Sequence, residues 1–124
     1  MLTMKLCTDV RHVRELCDRQ GLSFDGNIGA FISEERGKET GFCLFSIQDR
    51  VVTIRCVLCG EDYFLEDGLI RAVLSYCSQN GTSEFLLSSG IEWKMAKQLG
   101  LDIHLTDSPR NIEEFFAKYK NCAR

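Results

Sequence analysis

The sequence predicts an α/β (α+β) fold, a single domain over residues 1–124 built on one mixed sheet. Three observations predict it. Residues 27–59 hold apolar runs separated by short polar links, as an antiparallel meander requires. The period then changes, and Leu69, Ile70, Val73, Leu74 and Cys77 form a helical stripe. A short apolar run at 84–88 follows, and a strand reached through a helix lies parallel to the strand before it.

The bulk composition suits that class. With 124 residues, 44% hydrophobic and 27% charged, the chain can bury roughly two-thirds of its unfolded surface without metal or disulfide staples. The net charge of −3 provides no basic field, so neither nucleic acid nor an anionic membrane is an expected partner. No run approaches the ~20 apolar residues of a membrane span, and residues 1–6 are too short for a secretory leader. A cytoplasmic protein is expected. The seven cysteines, Cys7, Cys17, Cys43, Cys56, Cys59, Cys77 and Cys122, fall mostly in apolar runs. They read as reduced thiols packed like small hydrophobes.

The first element expected is a helix over 9–20, capped by Thr8 and closed by Gly21. It places Val10, Val13, Leu16 and Cys17 inward and Arg11, Arg14, Asp18 and Arg19 outward. Strands at 27–34 and 40–47 follow, joined through Glu35-Arg36-Gly37-Lys38-Glu39 as a hairpin. The next strand, 51–59, puts Val52, Ile54, Cys56 and Leu58 on one face and Val51, Thr53, Arg55, Val57 and Cys59 on the other. The turn that follows, from Gly60 to Gly68, holds four carboxylates: Glu61, Asp62, Glu66 and Asp67.

Beyond that turn the apolar-striped helix runs to Asn80-Gly81, with Asp67 as its expected cap. After the 84–88 strand, Ser89-Gly90-Ile91-Glu92 has the form of a capping box for a helix with Ile91, Met95 and Leu99 on one side. Trp93 reads as a helix-surface residue partly packed against the C-terminal helix. Gly100 ends the helix, and a further strand at 101–106 carries His104. Ser108 and Pro109 then cap and open a C-terminal helix with Ile112, Phe115, Phe116 and Tyr119 on one face.

This order of elements resembles the GCN5-related N-acetyltransferase (GNAT) family over roughly residues 28–101. Gly41-Phe42-Cys43-Leu44-Phe45 looks like the family's glycine-bearing strand after a polar hairpin, and Leu99-Gly100-Leu101 looks like its Leu-Gly-Phe. The resemblance implies acetyl-CoA as substrate and an unidentified amine as acceptor, with no metal. It implies a cofactor-binding set of Val57, Leu58, Cys59, Leu65, Glu66, Asp67 and Gly68, in which the strand lends backbone groups to the pantetheine arm and the helix start holds pyrophosphate.

The sequence departs from the family pattern in several places. Phe64 and Glu66 stand where two small residues belong, and Asp67 as a cap would take the donors that pyrophosphate needs. Ala96, Lys97 and Gln98 occupy the positions of the family's tyrosine, which protonates the departing thiolate. Ser89 replaces an asparagine, the 51–59 strand has no carboxylate, and the helix from Pro109 replaces the last strand. No catalytic residue is therefore assigned. The alternative is a non-catalytic GNAT-like module that binds a ligand or partner, with homodimerisation through the C-terminal helix open.

Cys56-Val57-Leu58-Cys59 is a lone CxxC in a strand, where residues three apart point to opposite faces, so neither a disulfide nor a metal site is expected of it. His12 and His104 are too few to hold a metal. Tyr63 and Phe64 are expected to fold over the core or to line a cleft.

Overall fold

The computed structural model describes residues 1–98 and 108–119. Leu99-Gly100-Leu101, the 101–106 strand with His104, Cys122 and the side chain of Tyr119 lie outside that description. Among the described residues the sheet has six strands in the order of the sequence: β1 (Leu2–Leu6), β2 (Ile28–Glu35), β3 (Lys38–Gln48), β4 (Val51–Leu58), β5 (Glu84–Leu87) and β6 (Arg110–Asn111). Every neighbouring pair is antiparallel except β4–β5, which is parallel. The mixed sheet is as the sequence predicts.

β1 is an addition to the expected elements. Leu2, Met4 and Leu6 alternate with Thr3 and Lys5, and the run pairs with β2 from Leu2↔Glu35 to Leu6↔Phe31. Helix α1 (Val10–Arg19) crosses to β2 with Val13, Leu16 and Cys17 buried, while Val10 stays exposed. Its cap is Asp9, not Thr8: Asp9 Oδ1 accepts the Arg11 and His12 N–H groups at 3.0 and 3.4 Å. A carboxylate has the formal charge that the helix start favours, and the hydroxyl of Thr8 does not.

Both hairpins turn through two residues, and the first is tighter than its five-residue polar link suggests. Arg36 and Gly37 turn at φ 55° and 78°, and Asp49 and Arg50 at 53° and 65°. Two successive left-handed residues match the strand twist of a two-residue hairpin. At the other end of the β3–β4 pair, Gly41 allows a close approach. A Cβ there would lie 2.8 Å from the Leu58 carbonyl oxygen.

The face assignment of β4 needs correction. Leu44 pairs with Cys56 but Phe45 pairs with Ile54, so Arg55 is an extra residue in a β-bulge. Val52 and Ile54 lie in the core beneath the second helix, and past the bulge Val57 and Cys59 pack against that same core. Cys56 instead packs with the α1 cluster of Val13, Leu16, Cys17, Ala30, Ile32, Phe42 and Leu44. The inserted residue breaks the two-residue alternation on which the sequence reading rests.

Helix α2 (Tyr63–Gln79) covers the opposite face from α1, with Leu69, Ile70, Val73, Leu74 and Cys77 fully buried. It starts a turn earlier than expected. Asp62, not Asp67, is the cap, and its Oδ1 accepts the Leu65 N–H at 3.0 Å. Helix α3 (Lys94–Gln98) is short, and helix α4 (Ile112–Tyr119) closes the described chain. The C-terminal helix does not begin at Ser108-Pro109. Arg110 and Asn111 pair with Phe85 and Glu84, Ile112 N–H donates to the Ser83 carbonyl at 2.9 Å, and Asn111 Oδ1 then caps α4 through Glu114 N–H at 2.9 Å. Sheet-edge hydrogen bonds hold those two residues in place of a first helical turn.

Candidate functional site

The parallel pair β4–β5 is short. Its register runs from Val51↔Glu84 to Ile54↔Leu87, and the Ser88 N–H closes it on the Ile54 carbonyl at 2.9 Å. Beyond that rung the strands part. β4 passes through the bulge and continues to Leu58 with only β3 beside it, while the chain after β5 turns away at Gly90 with φ 90°. A cleft of about 410 Å³ opens there. Arg55, Cys56 and Val57 form one wall, and residues 89–92 form the other, with Glu66 and Lys94 between them.

The second wall is held from α2. Glu66 Oε1 accepts the Lys94 N–H at 2.9 Å, and the Asp67 carboxylate accepts the Trp93 indole N–H at 2.8 Å. Asp67 is buried and also receives Arg71 Nε at 3.1 and 3.0 Å on its two oxygens. The Arg71 guanidinium lies 5.6 Å from the ring centroids of both Trp93 and Phe115. Trp93 is fully buried, against the expectation of a helix-surface residue, and its ring packs on Phe115 of α4 at 5.0 Å. A buried carboxylate requires such donors, and an indole with its N–H satisfied can leave water completely.

The capping box expected at Ser89–Glu92 does not form. Residues 89–90 are a turn, and the first N–H of α3 is satisfied across space by Glu66. A glycine in a left-handed conformation between Ser89 and Ile91 prevents the local reciprocal cap.

The residues singled out from the sequence divide among three places. Val57 and Glu66 meet at the cleft. Leu58 and Cys59 line a neighbouring hollow of about 270 Å³ with Glu39, Thr40, Gly41, Phe42 and Gly60. Leu65 and Asp67 are buried, and Gly68, in the second turn of α2, faces β1, where a Cβ would meet the end of the Met4 side chain. Tyr63 and Phe64 are exposed on the first turn of α2, and Phe64 is 71% exposed. The sequence reading missed Arg55, Trp93 and Lys94. One signal was available: Asp67 falls on the stripe of Ile70 and Leu74, and a charged residue on a buried stripe calls for a partner such as Arg71 one turn on.

The electrostatics of the cleft disfavour thiolate chemistry. Burial pushes the Cys56 thiol up from its ordinary range, with the Cys17 thiol adding to it. The Cys59 thiol is raised by burial and by the Glu66 and Asp62 carboxylates, against a lowering contribution from Lys94. No group of three or more potential metal ligands occurs among the described residues, and no described helix is long and apolar enough to cross a membrane. The cleft offers a strand edge of backbone amides and carbonyls with no strand beside it among the described residues, a polar turn opposite it, and the Glu66 carboxylate with Lys94 at its α2 end.

No protein-family model matches the sequence, and a search of curated proteins returns no match. The structure is similar to that of a ribosomal-protein-alanine N-acetyltransferase from Brucella melitensis biovar Abortus 2308. The TM-score is 0.63 at 13% identity, covering 87% of this chain and 97% of that one. It is similar to the ribosomal-protein-S18-alanine N-acetyltransferase of Escherichia coli, with a TM-score of 0.58 at 16% identity over 81% of this chain and 77% of the other. AAC(6')-Iy, solved with the bisubstrate analogue CoA-S-monomethyl-acetylneamine, gives 0.59 at 16% identity over 89% and 94%. The likeness is one of fold: this chain has the GNAT fold, in a divergent form.

Proposed function

We propose that this chain is a divergent N-acetyltransferase whose cleft between β4 and β5 receives the pantetheine arm of acetyl-CoA and whose acceptor is an amine. The observation that carries this reading is the parting of the parallel pair after Ile54 and Ser88. A strand edge without a strand partner needs donors and acceptors from elsewhere, and an extended diamide such as pantetheine supplies both in the manner of an added strand. Val57, Leu58 and Cys59 run along the arm, Glu66 and Asp67 hold the opposite wall from α2, and Leu65 and Gly68 pack α2 behind that wall. In the reaction the amine nitrogen attacks the acyl carbon, the C–N bond forms and the C–S bond breaks. The proton released by the amine ends on the leaving thiolate, giving an amide and a free thiol.

Fit to the whole of acetyl-CoA is uneven. The arm matches the strand edge, but the start of α2 does not match a diphosphate. Its Leu65 N–H is taken by Asp62, and Phe64 and Glu66 replace the small residues that a close approach needs. Incubating the protein with acetyl-CoA or acetyl-pantetheine and a panel of polyamines and peptide amines tests the reading. Mass spectrometry should find one acetylated amine for each thiol released. Absence of binding by both thioesters at millimolar concentration rejects it.

A second reading, binding without transfer, is favoured by a specific observation: none of the described residues lining the cleft is a tyrosine or a histidine. Saturable thioester binding with no acetylated amine across the panel would select this reading over catalysis.

A further inference from the structure

The start of α2 and the cleft disagree about charge, and the disagreement bears on which thioester the site prefers. This inference rests on the donor-binding reading above and specifies it. Glu61 and Asp62 precede the first turn of α2, and Glu66 closes it. The Cys59 thiol donates to the Asp62 carbonyl at 3.7 Å and Glu66 lines the cleft, so both carboxylates stand where the end of β4 meets the start of α2. Lys94 is the cation among them, with its Nζ 4.9 Å over the Tyr63 ring. At the start of α2 that one positive charge stands against three carboxylates, while Arg55, on the β4 wall of the cleft, donates to Ser46 Oγ at 3.5 Å. A diphosphate placed there would meet net like charge, a helix start with a donor already bonded, and two aromatic side chains in the line of approach.

The carboxylates are retained by structural work of their own. Asp62 caps α2, and Glu66 holds the N–H of Lys94 and with it the second wall of the cleft. The groups that build the cleft are thus the groups that repel a diphosphate. A neutral amide arm meets no such opposition along Arg55–Val57, because it needs only the backbone edge.

We propose that the cleft selects its acyl donor by the uncharged diamide arm alone, and that an acyl thioester of the pantetheine type, lacking diphosphate and nucleotide, binds at least as tightly as acetyl-CoA.

Isothermal titration of the whole protein with acetyl-pantetheine and with acetyl-CoA reads this directly. The expected result is an equal or lower dissociation constant for acetyl-pantetheine, with the acetyl-CoA affinity rising as salt screens the carboxylates. The Glu61→Gln, Asp62→Asn variant keeps the cap, since asparagine caps as well as aspartate. It should bind acetyl-CoA more tightly by about tenfold and acetyl-pantetheine unchanged, for two surface charges of ordinary strength. Acetyl-CoA binding tenfold or more tightly than acetyl-pantetheine to the native protein overturns the proposal and leaves the donor reading intact. An unchanged acetyl-CoA affinity in the variant overturns the electrostatic cause. Absence of binding by either thioester rejects the donor reading itself.

Discussion

Asp67 joins three helices through one carboxylate: it stands on α2, accepts from Trp93 before α3, and pairs with an arginine whose guanidinium lies against Phe115 of α4. Removing it leaves the Arg71 charge and a fully buried indole N–H without their acceptor. Asp67→Ala should lower stability by about 3 kcal/mol in urea unfolding. Asp67→Asn keeps an acceptor for the indole and should lose less. His12 is a second residue with a measurable signature. Its Nε2 lies 2.8 Å from Glu39 and its Nδ1 3.6 Å from Glu15. The hydrogen bond to Glu39 raises its pKa above the ordinary 6.5, burial opposes this, and the Glu39 and Glu15 charges add to the rise. The folded state therefore holds the proton more tightly than the unfolded chain. That stabilisation is complete below pH 6.5 and is lost as pH rises through the higher folded value. Thermal unfolding of native protein and His12→Gln across that window should show a gap that closes with rising pH. An imidazole midpoint below 6.5 by NMR would contradict this. Neither residue's role was legible beforehand in full. Asp67 could be placed on a buried stripe but not paired with Trp93, because that contact joins residues brought together only by the packing of α2 against the chain around α3.

At the level of elements, the meander, the crossover helix and the parallel strand were legible, because their periods are clean over many residues. β1 and the two-residue β6 were not. Both lie at the edges of the sheet among the described residues, and their pairing is decided by neighbours rather than by local pattern. The bulge at Arg55 was equally hidden, since an inserted residue leaves the sequence looking like continuous alternation. The candidate site was legible in part: Val57 and Glu66 reach the cleft, but the wall from residues 89–92 is set by Glu66 and Asp67 from another helix. Two substitutions examine these elements. Gly41→Ala places a Cβ against the Leu58 carbonyl at 2.8 Å, a backbone atom that cannot swing aside, and should cost about 1–3 kcal/mol in urea unfolding. Phe115→Ala empties the space between Phe85 and Trp93, whose centroids lie 5.4 and 5.0 Å away, and should cost about 3–5 kcal/mol.

Across the whole molecule, helices lie on both sides of one sheet, and the thiols report how well each layer is sealed. Burial raises Cys43 well above the ordinary range and Cys77 to about 12. Native protein treated with iodoacetamide at neutral pH should keep both unmodified, and unfolding should expose both to labelling. Native labelling of Cys77 would mean that α2 lifts from the sheet. The strand order has a consequence of a different kind, in time rather than in space. Because β1 to β6 lie side by side in the order they occur along the chain, each strand finds its predecessor already waiting as the polypeptide lengthens. The two tight hairpins close over short loops and form early, whereas Val51 meets Glu84 only after all of α2 has been laid down. The cleft between β4 and β5 is thus among the last features to be assembled, and a stalled chain ending before β5 would carry the meander without it.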